Sequence, residues 1–311
     1  MENEFVDFGF VFAMSMEAGG LVDLLEGRVT TRGNGRIFHR GKLHNTQIAI
    51  VESGIGQVKA ASATQALLEI FCPAFVVSAG YAGGLFSDFK RFSVYRPELL
   101  LRKSDGATLD ISNNIVQDAK KFAGQNLIAD NNIVTKNRCT LVTVDQPVES
   151  PEEKLLLGKT SGAGLVDMET FAVADVCKNW QGRSWRNEIT TDNPKNNTKN
   201  NSNNNKNNEN AENNKNSEND RNNNDGVNFS ALRIVLDAVD DELPKEVKRI
   251  IQSYERSAAR LIGTTIGSFF KRPSIVFDLY SLKERALQAT DILAKYITTN
   301  IIDSQEGEIR N

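Results

Sequence analysis

Residues 8–27, "FGFVFAMSMEAGGLVDLLEG", change character at Ser15. Up to Met14 the run is apolar and rich in β-formers; beyond it the apolar residues recur at helical intervals, with Glu17 in the opening turn. A short apolar run closed by a turn predicts a strand covered on both faces. An acid in the first helical turn sits where the helix dipole favours negative charge. The same strand-turn-helix unit returns in "QIAIVESGIG" (47–56) followed by "QVKAASATQALLEIF" (57–71). A third strand, "AFVVSAGYAGG" (74–84), runs into a polar loop. Further strands are expected at "RFSVYRPELLL" (91–101), "RCTLVTV" (138–144), "AGLVDM" (163–168) and "ALRIVLDA" (231–238). Together they predict an α/β fold, a three-layer α/β/α sandwich around a mixed central sheet, in which ligands gather at the carboxyl ends of the strands.

Composition narrows the partners. With 37 Lys+Arg against 40 Asp+Glu and a net charge of −3 over 311 residues, nothing draws the chain broadly to nucleic acid or to an anionic membrane. No run reaches the roughly 18 to 20 apolar residues needed to span a bilayer, and Glu2, Glu4 and Asp7 stand where a signal peptide carries positive charge. The expectation is a cytoplasmic protein. Cys72, Cys139 and Cys177 are widely spaced among apolar residues and read as buried free thiols rather than disulfides or a metal cluster. Only His39 and His44 offer imidazoles, so carboxylates are left to carry any chemistry, without a metal or organic cofactor.

The chain reads as one domain over 1–311, with an asparagine-rich insert over 187–227. The densest part of that insert, 193–224, holds 18 Asn in 32 positions. Such a segment cannot bury enough apolar surface to fold by itself. Because a helix, "METFAVADVCKNWQ" (168–181), precedes it and a strand follows, it reads as an expanded loop, which loop-closure entropy tolerates at small cost. Helical periodicity resumes in "LPKEVKRIIQSYERSAARLIGTTIGSFF" (243–270) and "SLKERALQATDILAKYITTNI" (281–301), the latter within a structural extension over 264–311.

Four strand ends carry unusual residues: Glu17 after the first strand, Gly54 and Gly56 in "SGIG", Gly80, Gly83 and Gly84 in "SAGYAGGL", and Asp237 directly after "IVL". Each has an ordinary explanation, as a helix-capping acid, a tight turn or a solvated loop. Asp240, Asp241 and Glu242 fit the solvated turn best. Within "GLVDMETFAVADVC" (164–177), helical spacing puts Leu165, Glu169, Ala172, Val173 and Val176 on one stripe. Glu169 then points inward and needs either an internal partner or a hydroxyl-rich ligand, whereas Asp167 and Asp175 fall off the stripe toward solvent or structural contacts.

In this order, "AMSME", "SGIG", "AGYAGGL", "VDMETFAVADVC" and "RIVLDAVDDELP" resemble the nucleoside phosphorylase and nucleosidase superfamily over residues 8 to 262, interrupted by the insert. The likeness is greatest to its 5′-methylthioadenosine/S-adenosylhomocysteine nucleosidase branch. The "LDAVDDELP" wording and the "KRP" and "LKERAL" tail look similar to a subgroup labelled hopanoid-associated phosphorylase. The resemblance implies that Asp237 gives a proton to the departing purine, Glu17 activates the attacking water and Glu169 holds the ribose hydroxyls. It also implies that Met168 packs on the sugar, Arg233 helps hold the water, and Ile55 and Val148 contact the 5′-substituent and the base. Tyr81 stands in the substrate site where the nucleosidase pattern has a serine near the water. Leu236 replaces the serine before the catalytic aspartate, and Pro147 replaces an aromatic that stacks on the purine. A homodimer is implied too, with the second subunit closing the 5′ end of the pocket.

The nucleophile is read from the cations. A phosphorylase holds phosphate beside C1′, usually with Arg or Lys supplementing backbone amides. Neither 13–27 nor 78–89 contains either residue, which favours water. Phosphate as co-substrate would have to rely on the amides of "SGIG" and "AGG", with Lys59 nearby or Arg36 or Arg40 from a partner. A nucleoside-binding protein with little turnover is the third reading.

Overall fold

The computed structural model describes residues 5–33, 35–112, 139–148, 150–182, 226–241 and 273–302, and for 273–282 the backbone alone. The asparagine-rich stretch up to residue 225, the helix expected over 243–270 and Glu242 lie outside the described residues.

Among the described residues, eleven strands form one mixed sheet. β1 (Phe8–Phe12) lies between β4 (Thr46–Glu52) and β5 (Phe75–Gly84), parallel to both. A hairpin, β2 (Glu26–Gly33) and β3 (Arg36–Leu43), extends the β4 edge antiparallel. β5 outruns β1, with which it pairs only up to Ser78, and serves two further partners. β11 (Asn228–Asp237) pairs with it in parallel along nearly its whole length, and β10 (Leu165–Asp167) meets its last two residues antiparallel. β9 (Cys139–Thr143), β7 (Pro97–Arg102) and β8 (Thr108–Asp110) continue beyond β10, while β6 (Val94–Tyr95) borders β11. β2, β3 and β8 are absent from the sequence-based expectation. All of β2 is exposed, so it lacks the apolar alternation by which strands are recognised.

Strand alternation makes the three layers. Phe8, Phe10 and Phe12 of β1, Ile48 and Ile50 of β4, Val77 and Ala79 of β5, and Leu232 and Ile234 of β11 face one core. Their intervening neighbours Val11, Ala49, Val51, Val76, Ala231 and Val235 face another, as a period of two requires. The first face is covered by α1 (Ser15–Asp23) and α5 (Pro273–Ile297), the second by α2 (Gln57–Phe71) and α4 (Thr170–Lys178). A smaller cluster, Leu85, Val142, Val144, Leu157, Ala163 and Val166, seats α3 (Pro151–Ser161). α3 is another element the sequence reading lacked, although Ser150 and Glu153 form a capping box with Pro151 in the first turn. Cys72, Cys139 and Cys177 are buried free thiols. Among the described residues no helix is long and apolar enough to cross a membrane.

The chain returns beside the point where the asparagine-rich tract leaves: the Val227 amide donates to the Cys177 carbonyl at 2.9 Å, near the end of α4. Both flanks are therefore anchored without the tract. Deleting residues 193–224 is expected to shift the melting temperature by no more than about 5 °C, since a fourfold change in loop length is worth roughly 1 kcal/mol. A larger fall in a thermal scan would mean that the tract packs on the core.

Candidate active site

Glu17 is buried in the first turn of α1 and is held by backbone alone. Its Oε2 accepts from the Ala13 and Met14 amides at 2.9 and 3.0 Å, and its Oε1 from the Tyr81 amide at 3.0 Å. The close approach needs Gly80, where a Cβ would lie 2.9 Å from Oε1. Burial pushes the carboxyl above its ordinary range, against the three amides and the charge of Arg233.

Glu169 does not sit on a helical stripe. β10 ends at Asp167 and α4 begins at Thr170, so Glu169 occupies the junction as the residue before the helix. Its inward direction comes from the turn rather than from helical periodicity. Oε1 accepts from the Gly56 amide at 2.8 Å, and Gly56 has φ of 102°, a backbone open in practice only to glycine. The "SGIG" turn thus aims an amide at Glu169. Burial and then the charges of Asp167 and Glu17 push Glu169 up to about 8, with Gly56 and Arg233 opposing.

Asp237 ends β11 just after a register shift against β5. Its Oδ2 pairs with Lys154 Nζ at 2.7 Å. Burial raises its pKa, and the charge and hydrogen bond of Lys154 work against that rise. Glu17 abuts β5 at Gly80 and Asp237 abuts it at Gly83, three residues or about 10 Å further along the strand.

The remaining expected residues divide. Ile55 lies half-buried between Gly54 and Gly56, and the Gly56 contact brings its turn to Met168 and Glu169. Met168 and Val148 pack on the same cluster under α3. Arg233 lies beneath the site, pairing with Asp167 Oδ2 at 2.9 Å and donating to Ser78 and Thr170. The Tyr81 hydroxyl turns to α5, donating to the Ala286 carbonyl at 2.9 Å and meeting Thr290 Oγ1 at 2.6 Å. What Tyr81 offers Glu17 is its amide. Leu236 packs on the phenylalanine-rich core, and the polar partner of Asp237 comes instead from Lys154, which sequence reasoning missed. Its signal was a lysine on the buried stripe of α3 with Leu157 and Gly158, masked by the run Leu155 to Leu157. Asp167, expected in solvent or structural contact off a helical stripe, instead ends β10 and is buried, bonded to Thr143 and Arg233.

Glu169 binds a proton in the folded chain between its ordinary 4.5 and about 8 that the unfolded chain releases, so stability falls as pH rises through that window. Glu169→Gln is expected to flatten that slope in denaturant melts, leaving the contribution of Glu17. Slopes identical to the parent would show that Glu169 titrates normally.

Comparison with known proteins gives the family and the fold. The profile of the phosphorylase superfamily matches residues 7–218. A 5′-methylthioadenosine/S-adenosylhomocysteine nucleosidase of Chromohalobacter salexigens is 43% identical over 76 residues, 24% of this chain and 32% of that protein. One from Colwellia psychrerythraea is 28% identical over 191 residues, 54% of this chain and 76% of the relative. At the higher identity, the match therefore spans about a third of the relative's length. In three dimensions the chain is similar to the futalosine hydrolase of Helicobacter pylori, with a TM-score of 0.58, 18% identity and coverage of 95% of this chain and 97% of that one. It is similar also to the Colwellia psychrerythraea nucleosidase in complex with adenine, with a TM-score of 0.59, 18% identity and 98% of each chain covered. At such identities the likeness is one of fold. The superfamily profile, extending over most of the chain and taking in the strands that carry Glu17, the two glycine turns and Glu169, makes this chain a member of the phosphorylase superfamily.

Proposed function

We propose that the protein is a purine nucleosidase that hydrolyses the N-glycosidic bond of adenine nucleosides of the methylthioadenosine or adenosylhomocysteine kind. The observation that carries this reading is how the buried cations are used. Arg233 in β11 and Lys154 on α3, the fully buried Arg and Lys among the described residues, are both paired with carboxylates. Glu17 makes no ion pair among the described residues and lies in backbone amides. A phosphate nucleophile needs uncommitted cations, whereas a water needs one well-placed base.

Breaking the bond builds positive charge on the ribose and negative charge on the departing base. In this reading deprotonated Glu17 takes a proton from water as it attacks C1′, and Asp237 gives a proton to the purine as it leaves. Burial raises both carboxyls above their ordinary range, which makes Glu17 the stronger base once deprotonated and favours the protonated form of Asp237. Glu169, with Oε1 committed to Gly56, offers Oε2 to the ribose hydroxyls. Ile55, Met168 and Val148 supply apolar contact to the 5′-substituent, sugar and base. The reading includes a homodimer acting in the cytoplasm without metal or organic cofactor. In support of a second copy, Val58 is 84% exposed next to the Gly56 turn, and Met14 and Met16 are exposed beside Glu17. A phosphate-dependent reaction would rest instead on Lys59, exposed in the first turn of α2 with its stem against Gly54.

Incubation with methylthioadenosine or adenosine, with and without phosphate, is expected to release adenine and the free sugar in both buffers, with inosine, which would release hypoxanthine, as the test of base preference. Strict dependence on phosphate with sugar 1-phosphate as product would overturn hydrolysis, and binding without turnover would overturn catalysis. Asp237→Asn is expected to lower kcat by about 10²- to 10⁴-fold with little change in nucleoside binding, because an amide delivers no proton. Glu169→Gln is expected to raise KM as well. Near-parental kcat for Asp237→Asn in steady-state assays would sink the assignment of the acid.

A further inference from the structure

Lys154 reaches Asp237 from the far side of the core. Its side chain is 1% exposed, while that of Asp237 retains 26%, so the acid opens outward with the cation sealed behind it. Besides Asp237 Oδ2 at 2.7 Å, the ammonium donates to the Ala238 carbonyl at 2.8 Å and the Asp241 carbonyl at 3.3 Å. Those are three acceptors for three N–H donors. The 237–241 turn is already closed by other bonds. The Ala238 amide donates to Asp241 Oδ2 at 2.7 Å, the Asp241 amide donates to the Ala238 carbonyl at 3.0 Å, and Arg91 pairs with Asp241. A buried ammonium costs several kcal/mol to desolvate, and an apolar side chain of similar size commonly serves stability as well or better. The turn and the packing of α3 therefore do not account for a lysine at this position.

We propose that Lys154 is the positioning residue for Asp237: clamped on Oδ2, with its remaining donors fixed on the 238–241 turn, it makes Oδ1 the oxygen that carries the proton and meets the base. This rests on Asp237 being the proton donor. The charged groups around Asp237 are Lys154 from α3, Asp241 in its own turn, and Arg91, which neutralises Asp241. Without the ammonium Asp237 is left beside another acid, and its proton is held more tightly.

The test is Lys154→Met, with Lys154→Gln as a second variant that keeps a donor without the charge. With carboxyl-labelled aspartate and Asp237→Asn identifying the signal, carbon NMR reads the titration of Asp237 whether or not the protein turns over. The midpoint is expected to rise by about 1 to 3 pH units in Lys154→Met. The alkaline limb of the kcat/KM profile is expected to move up with it, and kcat to fall more than KM changes. An unmoved midpoint and limb with only a lowered melting temperature would overturn the clamp, as would failure of both variants to fold. If the parent releases no base from any nucleoside, the proposed reaction fails while the titration still decides whether Lys154 governs Asp237.

Discussion

The guanidinium of Arg233 is the point on which the site's scaffold closes. It lies in β11 and is fully enclosed, where a charge is tolerated only with every donor matched. Its Nε and Nη2 reach Asp167 Oδ2 at 3.1 and 2.9 Å, Nη1 reaches the carbonyls of Ser78 and Leu232, and Nη2 also reaches the hydroxyls of Ser78 and Thr170. Asp167 in turn accepts from Thr143 Oγ1 at 2.8 Å and from the Thr170 amide at 2.9 Å. One ion pair thus binds β11, β5, β10, β9 and the start of α4 where the end of β5 pairs with both β11 and β10. Buried pairs of this kind seldom add net stability, but they discriminate against other registers because any slip leaves a charge unpaired. The register so fixed sets where Asp237 and Glu169 end up.

The same charge shapes the electrostatics above it. Arg233 neutralises Asp167 and lowers the pKa of both Glu17 and Glu169 from a distance. Neither glutamate has a cation in contact among the described residues. They are held instead by the amides of Ala13, Met14, Tyr81 and Gly56. Amides orient a carboxylate without cancelling its charge, so each glutamate, once deprotonated, is a preorganised anion facing a group that becomes positive. A lysine in contact with Glu17 would stabilise the resting carboxylate and weaken it as a base. On the other side, Asp237 has its cation in direct contact, which suits an acid that must release its proton. The proposed reaction needs this contrast between the two ends of the site.

Much of this was legible in the sequence, for identifiable reasons. Strands flanked by helices show as apolar runs, and the six core strands expected from 8–14, 47–52, 74–84, 138–144, 163–168 and 231–238 all exist. Glu17 and Asp237 were legible because strand ends are visible as changes of composition. Glu169 was singled out by an argument that fails in detail, since the helix starts only at Thr170; an acid between two apolar runs was the real signal. What the sequence withheld is long-range. Nothing in "SPEEKLLLGK" says that Lys154 meets a residue 83 positions later, and nothing at Tyr81 says that its hydroxyl belongs to Thr290. The β2–β3 hairpin was hidden because β2 is exposed throughout.

That last contact explains why a helix so late in the chain matters to an acid so early in it. Thr290 Oγ1 donates to the Met16 carbonyl at 2.7 Å while meeting the Tyr81 hydroxyl. Gly20 lies directly beneath, where a Cβ would come within 2.9 Å of the Thr290 methyl. α5 therefore presses on the two segments whose amides hold Glu17, the 13–17 turn and Tyr81 on β5. Glu17 is gripped from both sides of the sheet's end, by β5 from within and by α5 from without. The described flanks of the stretch between α4 and β11 belong to neither grip: one ends at Gly182, and the other resumes with the Val227 amide on Cys177. The amides of Ala13, Met14, Tyr81 and Gly56 and the ammonium of Lys154, which hold Glu17, Glu169 and Asp237, all lie outside that stretch, so a long polar insertion there removes none of them.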